Sequence, residues 1–166
     1  SLTVNSNTAN TTTTSVTLNL SASDGVGVTG YYVSTSSTAP SPAGAGWVAV
    51  TVTTNYSGNA SFILSSGDGT KTVYAWYKDA AGNVSAAASD SILLDQTAPS
   101  NGTLTATPGN AQVSLSWAGF ADGGSGLASS NTYKLVFSPG STPAASCTNG
   151  TQLLLGTGTS FTHTGL

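Results

Sequence analysis

The chain has 166 residues, a net charge of −3, only 5% charged residues, and no glutamate, arginine or methionine. With no basic cluster it lacks the electrostatic footprint of a nucleic-acid or anionic-membrane binder, and no apolar run is long enough to span a bilayer. Straight-chain helix formers are scarce and Ser plus Thr make up about a third of the chain, which excludes long surface helices and favours strands with polar outer faces.

Apolar residues at every second position carry the fold prediction. Leu2-Thr3-Val4 predicts a first edge strand, and Ser15 to Ser21 predicts a strand with one buried face. Gly30-Tyr31-Tyr32-Val33-Ser34, Trp47 to Val50 and Ser61 to Leu64 predict three more. Thr72-Val73-Tyr74-Ala75-Trp76-Tyr77 is the clearest strand in the chain, and the stretch from Val84 to Leu94 predicts another, centred on Ile92. That makes about seven strands in the first 95 residues, at the turn spacing of a β-sandwich. Between them, Ser66-Gly67-Asp68-Gly69-Thr70 and Asp79-Ala80-Ala81-Gly82-Asn83 supply turn residues that tolerate positive φ, and the prolines of Thr38 to Pro42 keep that stretch out of a central strand.

Asp95-Gln96-Thr97-Ala98-Pro99-Ser100 predicts a boundary, because Pro99 drives Ala98 to an extended backbone. The expected organisation is a complete domain over 1–95, a linker over 96–100 and a second domain over 101–166. Alternation resumes at Leu104 and runs through Val113-Ser114-Leu115-Ser116-Trp117. The second half echoes the first. Asp24-Gly25 matches Asp122-Gly123, Tyr32 matches Tyr133, Pro40 matches Pro143, and Ser61-Phe62 matches Ser160-Phe161, at offsets of 98, 101, 103 and 99 residues. On that spacing the counterpart of the Thr72–Tyr77 strand and the hairpin after it would fall beyond Leu166. The second domain is therefore expected to lack its last two strands and to be completed by strands from elsewhere. No signal-peptide pattern is present, so the chain reads as a mature or excised piece.

The run Val73-Tyr74-Ala75-Trp76-Tyr77-Lys78-Asp79-Ala80-Ala81-Gly82-Asn83-Val84-Ser85 resembles the penultimate-strand signature of bacterial immunoglobulin-like repeats, and Leu94-Asp95-Gln96-Thr97-Ala98-Pro99 resembles an inter-repeat linker. From Pro99 through Trp117 to Asp122 the chain resembles a bacterial fibronectin type III repeat. The resemblance implies an all-β fold of tandem sandwiches, the second one incomplete, in a large surface or secreted protein. It implies fold and location better than a task. It departs from the antibody pattern: no cysteine pair links strands in the first half, and Trp47 lies in a Pro/Gly-rich stretch.

The residues that carry chemistry are few. The one histidine, His163, has no predicted partner that would make a triad, and neither zinc spacing nor a phosphate loop is present, so the reading is non-enzymatic. Calcium takes oxygen ligands, and Asp24, Asp79, Asn83, Asp95 and Asp122 are the candidate ligands, at strand ends or in the linker; the alternative is that they are ordinary turn residues. Thr11, Thr12, Thr13 and Thr14 are candidate O-glycosylation sites. Asn-x-Ser/Thr triplets begin at Asn10, Asn19, Asn55, Asn59, Asn83, Asn101 and Asn149. The aromatics Tyr31, Tyr32, Trp47, Tyr56, Tyr74, Trp76 and Tyr77 offer either a sugar-stacking face or core packing. The lone Cys147 suggests a partner outside this sequence. Together these readings give a structural or adhesive module on the cell surface or outside the cell. It would be a spacer in a surface array or a filament subunit, its partners being neighbouring repeats or identical subunits joined by strand pairing. The alternative is a carbohydrate- or calcium-binding module of a secreted enzyme.

Overall fold

A computed structural model describes residues 1–140 and 146–166. The chain is all-β and divides into two compact units, Ser1–Gln96 and Thr97–Leu166.

The first unit holds β1 (Leu2–Val4), β2 (Asn10–Thr11), β3 (Ser15–Ser34), β4 (Val48–Ile63), β5 (Gly69–Asp79) and β6 (Ala88–Leu94). The alternation predicts separate strands at 15–21 and 30–34, but these are one 20-residue strand, β3. The strands expected at 47–50 and 61–64 are likewise the two ends of β4. The physical reason lies at Asp24-Gly25-Val26-Gly27, whose composition reads as a turn. Asp24 Oδ1 instead accepts the Val26 and Gly27 backbone N–H groups at 2.8 and 2.7 Å. These bonds hold a bulge within the strand, and the register with β4 jumps between Ser23 and Val28. Asp90 lies inside β6.

That bulge lets the two halves of β3 serve different neighbours. β1 pairs with the first half, Leu2 opposite Leu20, and β5 pairs with the second, Tyr31 opposite Tyr77; β4 runs antiparallel to β3 from Ser15 to Tyr31, across both halves. β5 continues to β6, and β6 takes the short β2 in parallel. The Asp90 carboxylate of β6 then accepts the Val4 backbone N–H at 2.7 Å, tying the first strand to the far side of the sheet. Side chains of period two meet inside this curl: Val16, Leu18 and Leu20 from β3, Val73, Ala75 and Tyr77 from β5, and Ile92 from β6. Each such buried valine, leucine or isoleucine contributes roughly 1.5–3 kcal/mol.

The second unit holds β7 (Thr103–Gly109), β8 (Gln112–Ala118), β9 (Tyr133–Phe137), β10 (Thr151–Gly156) and β11 (Ser160–Thr164). β7, β8 and β11 form one antiparallel sheet with β8 central, and β9 pairs antiparallel with β10 in another. Aromatic contacts join the two layers: Trp117 on Tyr133 at 5.9 Å and Phe137 on His163 at 4.8 Å between ring centres.

The repeat seen in the sequence reappears as pairing register. Val16 lies opposite Phe62 and Thr17 opposite Ser61 in the first unit; Leu115 lies opposite Phe161 and Ser116 opposite Ser160 in the second. Every number is 99 higher. One match shifts. Tyr133 packs inward on Trp117, as Tyr31 does in the first core, whereas Tyr32 lies on the other face with Trp47 and Trp76. The partner of Tyr133 is therefore Tyr31, since a shift of one residue inverts a strand's faces. The match of Pro40 with Pro143 lies outside the described residues.

The units differ sharply in their cores. Of fifteen buried apolar side chains among the described residues, fourteen belong to Ser1–Gln96, and Trp117 alone belongs to the second unit.

Candidate functional site

The four oxygen-ligand candidates of the first unit do not converge on one point. Asp24, Asp79 and Asn83 line a common shallow cleft of about 170 Å³ in the first unit. Their oxygens, however, serve the turns. Asp24 Oδ1 caps the bulge, Asp79 Oδ1 accepts the Asn83 backbone N–H at 2.9 Å, and Asp79 Oδ2 accepts the Asn83 side-chain amide at 2.7 Å. These bonds, the side-chain amide of Asn83 first, hold the Asp79 carboxyl below its ordinary range. Asp95 follows the end of β6 that lies beside Gly69, while Asp79 ends β5. The length of β5 therefore separates them, roughly 33 Å at about 3.3 Å per residue. Asp95 is buried, and its backbone N–H donates to the Thr11 carbonyl. Asp122, in the second unit, accepts the Gly124 and Gly126 N–H groups at 2.9 Å, again as a turn residue.

Thr11 belongs to β2, and its hydroxyl donates to the Thr13 carbonyl; Thr12 and Thr13 are exposed in the following turn, and Thr14 accepts the Leu64 N–H through its carbonyl. Among the Asn-x-Ser/Thr triplets, the Asn19 amide donates to the Asn59 side-chain oxygen, so both groups are engaged in cross-strand bonding. Cys147 is exposed.

The aromatics divide between the two faces of the first sheet. Tyr31, Tyr56 and Tyr77 pack with the core, at ring separations of 5.9 and 6.2 Å. On the other face Tyr32 meets both Trp47 and Trp76, and Tyr74 stacks on Trp76. The segment between β3 and β4 folds onto this second group. Trp47 Nε1 donates to the Ser41 carbonyl, Lys78 Nζ donates to the Pro42 carbonyl, and the Lys78 ammonium sits 4.8 Å from the Trp47 ring centre. Trp76 is thereby 1% exposed. These rings spend their faces on one another.

The second unit holds a cleft of about 330 Å³ lined by Leu104, Trp117, Phe120, Tyr133, Lys134 and Leu135 among others. Its walls follow from register. Leu104 of β7 lies opposite Trp117 of β8, and Tyr133 of β9 meets the edges of both Trp117 and Phe120, at 5.9 and 5.8 Å. Gly102 places Phe120: a Cβ there would lie 2.3 Å from the Ala118 carbonyl oxygen and 2.6 Å from the Phe120 nitrogen. Trp117 is 7% exposed, yet among the described residues its indole Nε1 has no hydrogen-bond partner. Leaving such a donor unsatisfied costs roughly 1–3 kcal/mol. None of the cleft's lining residues belongs to β10. The cleft thus lies against β9 without reaching β10. Sequence reasoning identified Trp117 and Tyr133 as strand residues but not the cleft, whose walls come from three strands and the segments between them.

Among the described residues no group of three or more His, Cys, Asp or Glu side chains is placed to hold a metal ion, and no helix is long and apolar enough to cross a membrane. No protein-family model matches the chain, and neither does any curated protein or solved structure.

Proposed function

We propose that this chain is a non-catalytic structural or adhesive module of the cell surface or extracellular space, built from an immunoglobulin-like unit and a fibronectin type III-like unit, that assembles by strand addition. The observation that carries the reading is the second unit itself. Its two layers bury a single large side chain, and β9 is paired on one side only among the described residues. A half-paired strand beside an apolar cleft is a template for another strand.

Further support comes from the first unit, where parallel pairing of β2 with β6 and the split use of β3 suit an immunoglobulin-like layout. The low charge and the polar Ser/Thr surface suit an exported, mechanically passive module. The clustered aromatics and the self-bonded Asp79 and Asn83 give less to a sugar- or calcium-binding reading, because their contacts are already internal.

Size-exclusion chromatography with multi-angle light scattering tests the proposal. The expected result is concentration-dependent association of the folded chain. A folded chain that stays monomeric to millimolar concentration defeats assembly by strand addition.

A further inference from the structure

We propose that the free edge of β9 is a docking site for an extended strand with the residue pattern of β5, running antiparallel to β9 and closing the apolar cleft over Trp117. The proposal deepens the strand-addition reading and rests on it: it names the edge, the direction and the chemistry of the incoming strand.

The first unit supplies the template. There the second half of β3 is covered on one edge by β4 and on the other by β5. In the second unit β9 is the counterpart of that half, and β10, the next strand in the chain, holds the edge that β4 holds. Among the described residues, the edge that β5 occupies is the one left free. With Tyr133 equivalent to Tyr31, the known pairs transfer directly. Tyr31 faces Tyr77, Tyr32 faces Trp76 and Val33 faces Ala75 in the first unit. An incoming strand would therefore set a Tyr77-like ring against Tyr133 and an Ala75-like residue against Leu135, both on the face of β9 that packs on Trp117. It would set a Trp76-like ring opposite Lys134.

Three features of the cleft fit this occupant. Its walls at Leu104, Trp117, Phe120 and Leu135 are apolar, which suits side chains at alternate positions of a strand. Lys134 is the only cation in Thr97–Leu166 and lines the cleft; an aromatic ring opposite it meets an ammonium, the pairing that Lys78 and Trp47 already make in the first unit. Among the described residues the buried Trp117 Nε1 lacks an acceptor, and an extended backbone beside the cleft offers carbonyl oxygens.

The test uses the full chain and a synthetic peptide with the sequence of residues 69–79, followed by amide hydrogen exchange and by the indole N–H resonance of Trp117. Binding is expected to slow exchange of the β9 amides that β10 leaves unbonded and to shift the Trp117 indole proton. A peptide with the same side chains but N-methylated at alternate backbone nitrogens is expected to bind at least about tenfold more weakly, because ladder hydrogen bonds supply the affinity of an added strand. Lys134→Glu, an exposed change, is expected to weaken the unmodified peptide severalfold while leaving the chain folded. Protection at β7, β10 or β11 alone overturns the β9 assignment but leaves strand addition standing. Protection of β9 by self-association, with the peptide excluded, overturns the β5-like occupant and again leaves strand addition standing. If no peptide binds and the chain also stays monomeric, both fall.

Discussion

Two buried aromatic residues show how differently the units treat a polar atom. Tyr77 in the first unit donates its hydroxyl to the Ser1 carbonyl at 2.5 Å, and Trp117 in the second has no acceptor for its indole among the described residues. Burial is the main reason the Tyr77 phenol is pushed up from 10.0 to about 12; the neighbouring Tyr56 adds to the shift, and a backbone hydrogen bond at Ser21 opposes it. The sign of the resulting pH dependence follows. Between pH 10 and about 12 the unfolded chain has released this proton and the folded chain has kept it. The unfolded state then binds fewer protons, so stability falls as pH rises through that window and is complete below it. Urea unfolding of the first unit should show its midpoint dropping from pH 10 to 12. Tyr77→Phe should shrink that drop, at a cost of about 1 kcal/mol near neutrality for the lost hydrogen bond. Tyr56, also raised by burial and by Tyr31, leaves a residual drop in the variant. An unchanged alkaline drop in Tyr77→Phe refutes the assignment.

At the scale of elements, β3 decides the first unit. Its bulge depends on Gly27, at φ +127, where a Cβ would stand 2.7 Å from Val52 Cγ1. Both the positive φ and the close approach to β4 require glycine. Gly27→Ala should destabilise the first unit by about 1–3 kcal/mol in urea titrations, whereas the open position of Gly25, with nothing near its Cβ, should accept alanine with little change. Equal effects at the two positions contradict this account of the bulge. The strands themselves were legible: β1, β5, β6, β7 and β8 all fall where apolar residues alternate, because period two is the geometry of a half-buried strand. The continuity of β3 was not legible, since Asp-Gly-Val-Gly has turn chemistry and only the Asp24 carboxylate, folded back on two amides, keeps it in the sheet. The two-residue β2 carries no periodicity to read, and its parallel pairing with Leu93 and Leu94 depends on a partner more than eighty residues away. The cleft was hidden for the same reason. Leu104, Trp117 and Tyr133 look like ordinary strand residues until register brings them together.

For the whole molecule, what matters is the inequality of two cores on one repeated plan. The shared offset of 99 residues makes the β3–β4 and β8–β11 pairings the same construction, yet among the described residues the first unit buries fourteen apolar side chains and the second unit one. Stability of a small domain is a narrow surplus of burial over chain entropy. At roughly 1.5–3 kcal/mol per buried side chain, a difference of thirteen far exceeds that surplus. The chain should therefore unfold in two steps, with Thr97–Leu166 melting well below Ser1–Gln96. Differential scanning calorimetry checks this, and Gly27→Ala and Gly102→Ala assign the steps: the first should lower only the upper transition, the second only the lower. Addition of the 69–79 peptide should raise the lower transition alone, since a ligand stabilises the unit whose folded state binds it. A single cooperative transition, moved equally by both glycine variants, means that the second unit draws its stability from something other than its own exposed layers. The strand-addition reading then loses its physical motive.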